Sequence, residues 1–285
     1  MKTYLECFSC FMNSAVRTAK TFSNDREFQE KVSREILGFL SLIDLSRTPP
    51  EMGAFIEHHI FSSLALDDPF GPLRSQYNKL MLNLLPRFRQ EVTAASSPFE
   101  AALRLAIGGN IIDFGNEYTM TEELVHETLT SSMTATFHLG TPGALDALIK
   151  RAGTILYIGD NCGEIVLDRL FIETVGPKKF TFAVRGAPIL NDVVREDARE
   201  AGLDTLVPVI DTGQAIPGVV LSSASEAFLQ EWEASDLVIA KGQGNYETLS
   251  ETQKPVAFLL KAKCSVVARH LKVPQGSMVI HLANC

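Results

Sequence analysis

Three stretches of the chain place polar donors directly after an apolar run. The first is TILYIGDNCGEI, residues 154–165. A β-type run ends at Gly159, Asp160 and Asn161 supply a carboxylate and an amide, and Gly163-Glu164 open a helix-like segment. In open α/β sheets ligands bind beyond the carboxyl ends of the strands. Two hard oxygen donors there suit a hard divalent cation or a polar substrate. The second stretch, FAVRGAPILND, leaves its apolar run at Arg185 and reaches Asn191-Asp192 at the next helix start. Consecutive strands usually pair, so Asp160, Asn161 and Asp192 are expected to converge on one cation, with positions left for water and substrate. The plainer reading of the same residues is Asx turns and helix caps. The third stretch, AKGQGNYE at 240–247, puts Lys241 beside Gly242 and Gly244 where a helix begins. Glycines let backbone N–H groups approach a phosphate, the helix N-terminus favours an anion, and lysine adds charge. GxxxxGK[ST] is absent, and a surface lysine in an ordinary turn is the bland alternative. Arg185 is a candidate second cationic contact to the same anion.

Two other segments carry reactive residue types. LAIGGNIIDFGN, residues 105–116, sets adjacent glycines inside a helix-like context, each costing roughly 1 kcal/mol against alanine. Asn110 and Asp113 are three apart and share a face if the segment is helical, so this helix either presents them to the pocket or simply stops at its glycines. Cys7 and Cys10 form a CxxC without a second CxxC or an HxxxH, which leaves a zinc site short of ligands. Two buried helical cysteines is the default reading. The six histidines show no ligand spacing, and no GxSxG is present.

The elements that must hold these residues follow from periodicity. Up to about residue 150 the pattern is helical. Phe28, Val32, Ile36, Phe39 and Ile43 mark one buried face, with Ser23 or Asn24 as cap. A later helix is expected to start at Ser97, with Pro98 in its first turn and Glu100 three residues on. Beyond Thr141-Pro142-Gly143 short apolar runs alternate with helix-period segments, which predicts βαβ units and a mostly parallel sheet. The expected division is a helical region over 1–145 and an α/β region over 146–285. A net charge of −8 argues against non-specific binding to nucleic acid or to anionic membranes. No apolar run reaches transmembrane length, and the N-terminus reads poorly as a signal peptide. Five cysteines in 285 residues make a disulfide scaffold improbable and point to a reducing cytoplasm.

CFSC near the start, GGNIIDFG, GDNCGE, RGAPILNDV and KGQGNYE occur in order along the chain. Together they resemble the domain-of-unknown-function 89 family of damage-control, metal-dependent phosphatases, in its stand-alone microbial branch that bears the CxxC. The resemblance covers essentially the whole chain. It implies a helical N-terminal part with a three-layer α/β/α, Rossmann-like domain. It also implies hydrolysis of phosphate esters of small metabolites with manganese, cobalt, nickel or magnesium. By similarity, Asp160, Asn161 and Asp192 hold the metal and Lys241 and Asn245 face the phosphoryl group, whereas the resemblance assigns no role to Asn110 and Asp113, which stay substrate-binding candidates on their local pattern. Asp160 is expected either as a metal ligand or as a nucleophile giving an aspartyl-phosphate. Two rival readings stay open. One is an S-adenosylmethionine-dependent carboxyl methyltransferase, loosely mimicked by ILYIGDNCG but lacking an acidic residue at the second strand tip. The other is a metabolite-binding or redox-sensing module switched by Cys7 and Cys10. Substrate, native metal and oligomeric state are not specified by the sequence.

Overall fold

The computed structural model describes residues 1–109 and 121–285. Asn110 and Asp113 lie outside the described residues. Three helices come first: α1 (Cys7–Phe22), α2 (Arg26–Leu40) and α3 (Pro49–Ser63). They close around a core of their own, in which Phe11, Ala15, Val32, Ile36, Ile56 and Ile60 are buried. The cap of α2 is Asp25, whose side chain accepts from Glu27 N, rather than Ser23 or Asn24. α4 (Gly71–Ala94) and α5 (Pro98–Gly108) follow, then α6 (Glu122–Ser132). The expected start of α5 is observed, with Ser97 accepting from Glu100 N.

Among the described residues, seven strands form one sheet: β1 (Phe137–Leu139), β2 (Ile155–Ile158), β3 (Phe180–Val184), β4 (Val209–Asp211), β5 (Leu237–Lys241), β6 (Val256–Lys261) and β7 (Met278–Ala283). Their spatial order is β1-β7-β6-β5-β2-β3-β4, and the β6–β7 pair alone is antiparallel. The connecting helices are α7 (Pro142–Arg151), α8 (Glu164–Val175), α9 (Arg195–Glu200), α10 (Glu226–Ala234), α11 (Gly242–Leu249) and α12 (Ser265–Leu271).

The central strands β2, β3, β5 and β6 are mostly apolar because both faces are covered. Alternate residues feed two cores. Ile155, Tyr157, Phe180, Phe182, Leu237 and Ile239 pack with α4, α5 and α8. Leu156, Ile158, Ala183, Val238 and Ala240 pack with α10, α11 and α12. This period of two is the pleat itself, and it gives the three-layer α/β/α arrangement with a mostly parallel sheet. Part of the helical region up to residue 145 packs on the sheet. α4, α5 and α6 share the core of one sheet face, and β1 pairs with β7 although it precedes that position.

The sheet order fixes where chemistry can occur. β2 lies between β3 and β5. The chain leaves β2 toward β3 on one side, while β5 enters on the other. This is the reversal beside which open α/β sheets bind ligands.

Candidate active site

The tips of β2 and β3 are sewn together by main chain. Asn161 and Asp192 form an isolated antiparallel bridge. Cys162 N donates to Asn191 O at 2.9 Å, and Val193 N donates to Asp160 O at 2.9 Å. Asp160, Asn161 and Asp192 therefore line one cavity of about 350 Å³. Its opposite wall comes from the helical part, through Glu6, Cys7, Cys10 and Phe11 of the α1 region and Pro49, Pro50 and Gly53 of α3. Small residues let the tips close. A Cβ on Gly159 would stand 2.7 Å from the Phe182 ring, and one on Gly242, at φ +77°, would stand 1.9 Å from Asp160 Oδ2.

The carboxylates here are crowded. Asn161 Nδ2 donates to Asp160 Oδ2 at 2.7 Å and to Glu164 Oε2 at 3.2 Å. Burial pushes the Asp160 carboxyl up to about 7, aided by the neighbouring charges of Glu164 and Asp192 and opposed by Arg185 and Lys263. Burial likewise lifts Asp192 to about 6, against the pull of Arg185. A crowd of buried acidic oxygens disfavours its own ionisation, and a bound cation relieves that cost. Two carboxylates and an amide are the hard oxygen donors that manganese or magnesium accepts, so the donor set fits a hard divalent ion. Among the described residues, no three His, Cys, Asp or Glu side chains form a metal-holding group of their own. A site at these tips therefore needs the Asn161 amide, with water or substrate completing the shell.

Arg185 is buried, and its role differs from the expected anion contact. Nε donates to Asp192 Oδ2 at 2.7 Å and Nη1 to Asn245 Oδ1 at 3.2 Å. Nη2 lies 3.7 Å from Asp160 Oδ1. The guanidinium thus braces the two tip carboxylates from behind. A second, larger cavity of about 630 Å³ lies against Arg185, lined by Asp68, Arg74, Arg195, Asp197 and Glu200 among others. Its charges are already matched: Arg74 pairs with Asp68 at 2.7 Å and with Asp197 at 3.1 Å. Since it lacks the tip carboxylates, the smaller cavity is the better chemical candidate.

Lys241 is placed inside the protein. Its side chain is fully buried, with Nζ donating to Glu164 Oε1 and Asp168 Oδ1 at 2.6 Å each and to Ala106 O at 2.8 Å. All three ammonium protons are used inside the protein, away from the cavity. Burial alone would lower the ammonium pKa, but Asp168 and Glu164 outweigh it and the net shift is upward. Burial lifts Asp168 to about 6 despite Lys241, and Tyr157 Oη also donates to it at 2.6 Å. Asn245 is likewise buried. Its Nδ2 donates to Gly159 O at 3.1 Å and to Lys241 O at 2.7 Å, tying β2 to β5. Neither side chain lines the cavity, so the expected phosphoryl contacts of Lys241 and Asn245 do not correspond to their placement. Gly242 acts through its missing side chain, by making room for Asp160.

The cavity contains residues that the motif reading passed over. Lys263, exposed just beyond β6, lines it, and its backbone N donates to Gln243 Oε1 at 3.1 Å. The rule used for the other strand tips, a polar residue just after an apolar run, also selects KAKC. Glu164 sits on the first residue of α8, fully buried. Glu247 and Cys264 line the same space, and burial lifts the Glu247 carboxyl to about 7.

The model of the damage-control phosphatase ARMT1-like domain matches residues 3–279. A damage-control phosphatase of Pyrococcus horikoshii is 34% identical over 284 residues, covering 98% of this chain and 97% of its own. One from Archaeoglobus fulgidus is 30% identical over 285 residues, covering 98% of each. An uncharacterized protein of Methanocaldococcus jannaschii is 34% identical over 289 residues, covering 96% of this chain and 93% of its own. The crystal structure of a DUF89 family protein from Pyrococcus horikoshii superposes with a TM-score of 0.91 at 33% identity, over 100% of both chains.

Proposed function

Because the chain belongs to the damage-control phosphatase ARMT1-like family, we propose that it hydrolyses phosphate monoesters of small metabolites, such as sugar phosphates, with the help of a divalent cation. The observation that carries this reading is the main-chain seam joining the tips of β2 and β3, which turns Asp160, Asn161 and Asp192 toward one cavity. These three side chains would hold manganese, cobalt, nickel or magnesium. When bound, such an ion polarises phosphoryl oxygens and lowers the pKa of water.

The protein's own residues do the rest. Lys263 and the first turn of α11, where Gln243 and Gly244 line the cavity, would receive the phosphoryl oxygens. A lysine supplies charge and the helix N-terminus supplies backbone donors. Arg185 keeps Asp192 and Asp160 oriented from behind. Phe11, Pro49 and Pro50 form the apolar wall against the leaving group and exclude water from part of the cavity. A volume of about 350 Å³ is at the small end of ligand pockets and suits a compact metabolite.

The test is phosphate release from p-nitrophenyl phosphate and from a panel of phosphometabolites, crossed with the four divalent cations. Asp160→Asn and Asp192→Asn should each lower kcat/KM by ~100-fold or more, the scale of losing a group that stabilises transition-state charge, with the far-ultraviolet circular dichroism unchanged. Full activity in either variant removes that carboxylate from the mechanism. Acid-quenched single turnovers with radiolabelled phosphate ester separate direct attack by water from an aspartyl-phosphate on Asp160, because only the latter leaves hydroxylamine-labile phosphate on the protein.

A further inference from the structure

Three thiols line the candidate substrate cavity: Cys7 and Cys10 from the first turn of α1, and Cys264 at the cap of α12. None is in a disulfide, and phosphate ester hydrolysis employs none of them. Cys10 is exposed and Cys7 half-buried. Each lies close enough to Cys264 and Glu247 to be influenced by their charges.

We propose that Cys7 and Cys10 form a dithiol–disulfide couple, a covalent modification site in the cavity wall that takes low-molecular-weight disulfides. Three observations support this pairing. First, residues three apart on a helix have Cβ atoms about 5–6 Å from each other, somewhat more than a disulfide spans. The entry to α1 is already wound more tightly than an α-helix. Cys7 N donates to Tyr4 O at 2.9 Å and Phe8 N to Leu5 O at 3.2 Å, both across three residues. That winding eclipses side chains at i and i+3 but sets them about 6 Å apart along the axis, so Cys7, the first residue of α1, must swing out of this turn to bring the two sulfurs together. Second, this turn resists little. The N-cap residue Glu6 is in the right-handed helical region and makes no side-chain cap bond. Third, Cys264 is engaged elsewhere. Its Sγ accepts from Val267 N at 3.4 Å as the cap of α12 and from Gln243 Nε2 at 3.6 Å.

The chemistry balances without further reactants. The Cys10 sulfur, as thiolate, attacks one sulfur of the small disulfide and expels one small thiol. Cys7 then attacks the Cys10 sulfur of the mixed disulfide and expels the second. The protein gains one S–S bond and loses two S–H bonds, while the small disulfide is reduced to two thiols. Burial raises the pKa of both protein thiols, which keeps the thiolate fraction low and the exchange slow. The couple therefore follows the prevailing thiol–disulfide balance and is not a rapid peroxide trap. Glu6, Cys7, Cys10 and Phe11 all line the cavity, so rewinding this turn moves the wall. That consequence rests on the phosphatase reading, whereas the disulfide itself does not.

The test equilibrates the full chain in glutathione buffers of rising oxidation, alkylates the remaining thiols and maps them by mass spectrometry. Cys7 and Cys10 should disappear together at one midpoint as an intramolecular disulfide, with Cys264 still alkylated, and Cys10→Ser should abolish the transition. Cys7 and Cys10 both alkylated in the most oxidising buffer, a stable mixed disulfide as end product, or a Cys10–Cys264 link each overturns the proposal. KM for p-nitrophenyl phosphate should rise several-fold in the oxidised protein and not respond to the buffer in Cys10→Ser. A disulfide that forms without moving KM overturns the effect on the cavity. If no phosphate ester is hydrolysed at all, the phosphatase reading fails, and the thiol map still decides the couple.

Discussion

Replacing Lys241 by methionine separates a buried structural cation from a substrate contact. Nζ makes three bonds of 2.6–2.8 Å, to Glu164, Asp168 and the Ala106 carbonyl, and the carboxylate side chains are 0% and 1% exposed. Methionine fills a similar volume but leaves two carboxylates in a layer that excludes water without the ammonium that balanced them. Removing one partner of a buried pair costs ~3–5 kcal/mol, a substantial part of the ~5–15 kcal/mol that a domain has. Lys241 is charged across the neutral range. Its folded pKa is raised above the ordinary 10.5, so the stability it contributes is present in full below that value and is lost as pH rises through the folded pKa. Without the ammonium the Asp168 carboxyl, already at about 6 beside it, rises further, so the deficit of Lys241→Met should deepen as pH rises through the neutral range. Urea unfolding monitored by fluorescence gives the difference, and adding Asp168→Asn should recover more than ~1 kcal/mol by removing one orphaned charge. The reasoning is refuted if Lys241→Met unfolds within ~1 kcal/mol of the parent while its KM for p-nitrophenyl phosphate rises tenfold, for then the ammonium leaves the interior to meet substrate.

Three further outcomes follow from the same geometry. Lys263→Met, at the cavity surface, should raise KM by ~10–100-fold, the loss of one charge-assisted bond of ~1.5–3 kcal/mol, with unchanged urea midpoint; an unaltered KM would remove Lys263 from the phosphate subsite. Gly242→Ala forces a Cβ to 1.9 Å from Asp160 Oδ2 at φ +77°, so it should abolish most activity and cost more than the ~1–2 kcal/mol of the left-handed backbone alone, read by kinetics and unfolding together. Glu57 of α3 is buried, accepts from Ser14 and Thr18, and is pushed by burial from 4.5 to about 7. The stability linked to it is complete below 4.5 and lost as pH rises through about 7. Glu57→Gln should therefore remove a slope of at most ~3 kcal/mol over that window, and an unchanged pH profile of the melting temperature would contradict it.

What could be read from the sequence tracks how local the cause is. The alternation of apolar runs and helix-period segments after residue 141 reports burial on both faces of a parallel sheet, and each such strand is observed. The pairing of the Asp160 and Asp192 tips followed from strand adjacency. The placements of Lys241, Asn245 and Arg185 did not, because whether a side chain points outward or inward depends on what faces it. Glu164 lies 77 residues from Lys241 in the chain, and nothing local marks the two as partners. A lysine after an apolar run looks the same whether it meets solvent or a buried carboxylate. Lys263 was missed for the converse reason, since its strand carried no glycine-rich punctuation. The CxxC was legible as a motif, but its place on the cavity wall needed α1 to fold back over the sheet.

The seam at the strand tips has a consequence for how this scaffold tolerates change. Because Cys162 N–Asn191 O and Val193 N–Asp160 O are backbone bonds, the spacing of the two loops is independent of which side chains they carry. A change of donor at 160 or 161 leaves the stitching in place, whereas a change at 192 also takes from the buried Arg185 guanidinium its 2.7 Å partner. Variation in chemistry is therefore cheaper for the fold at the first two positions than at the third.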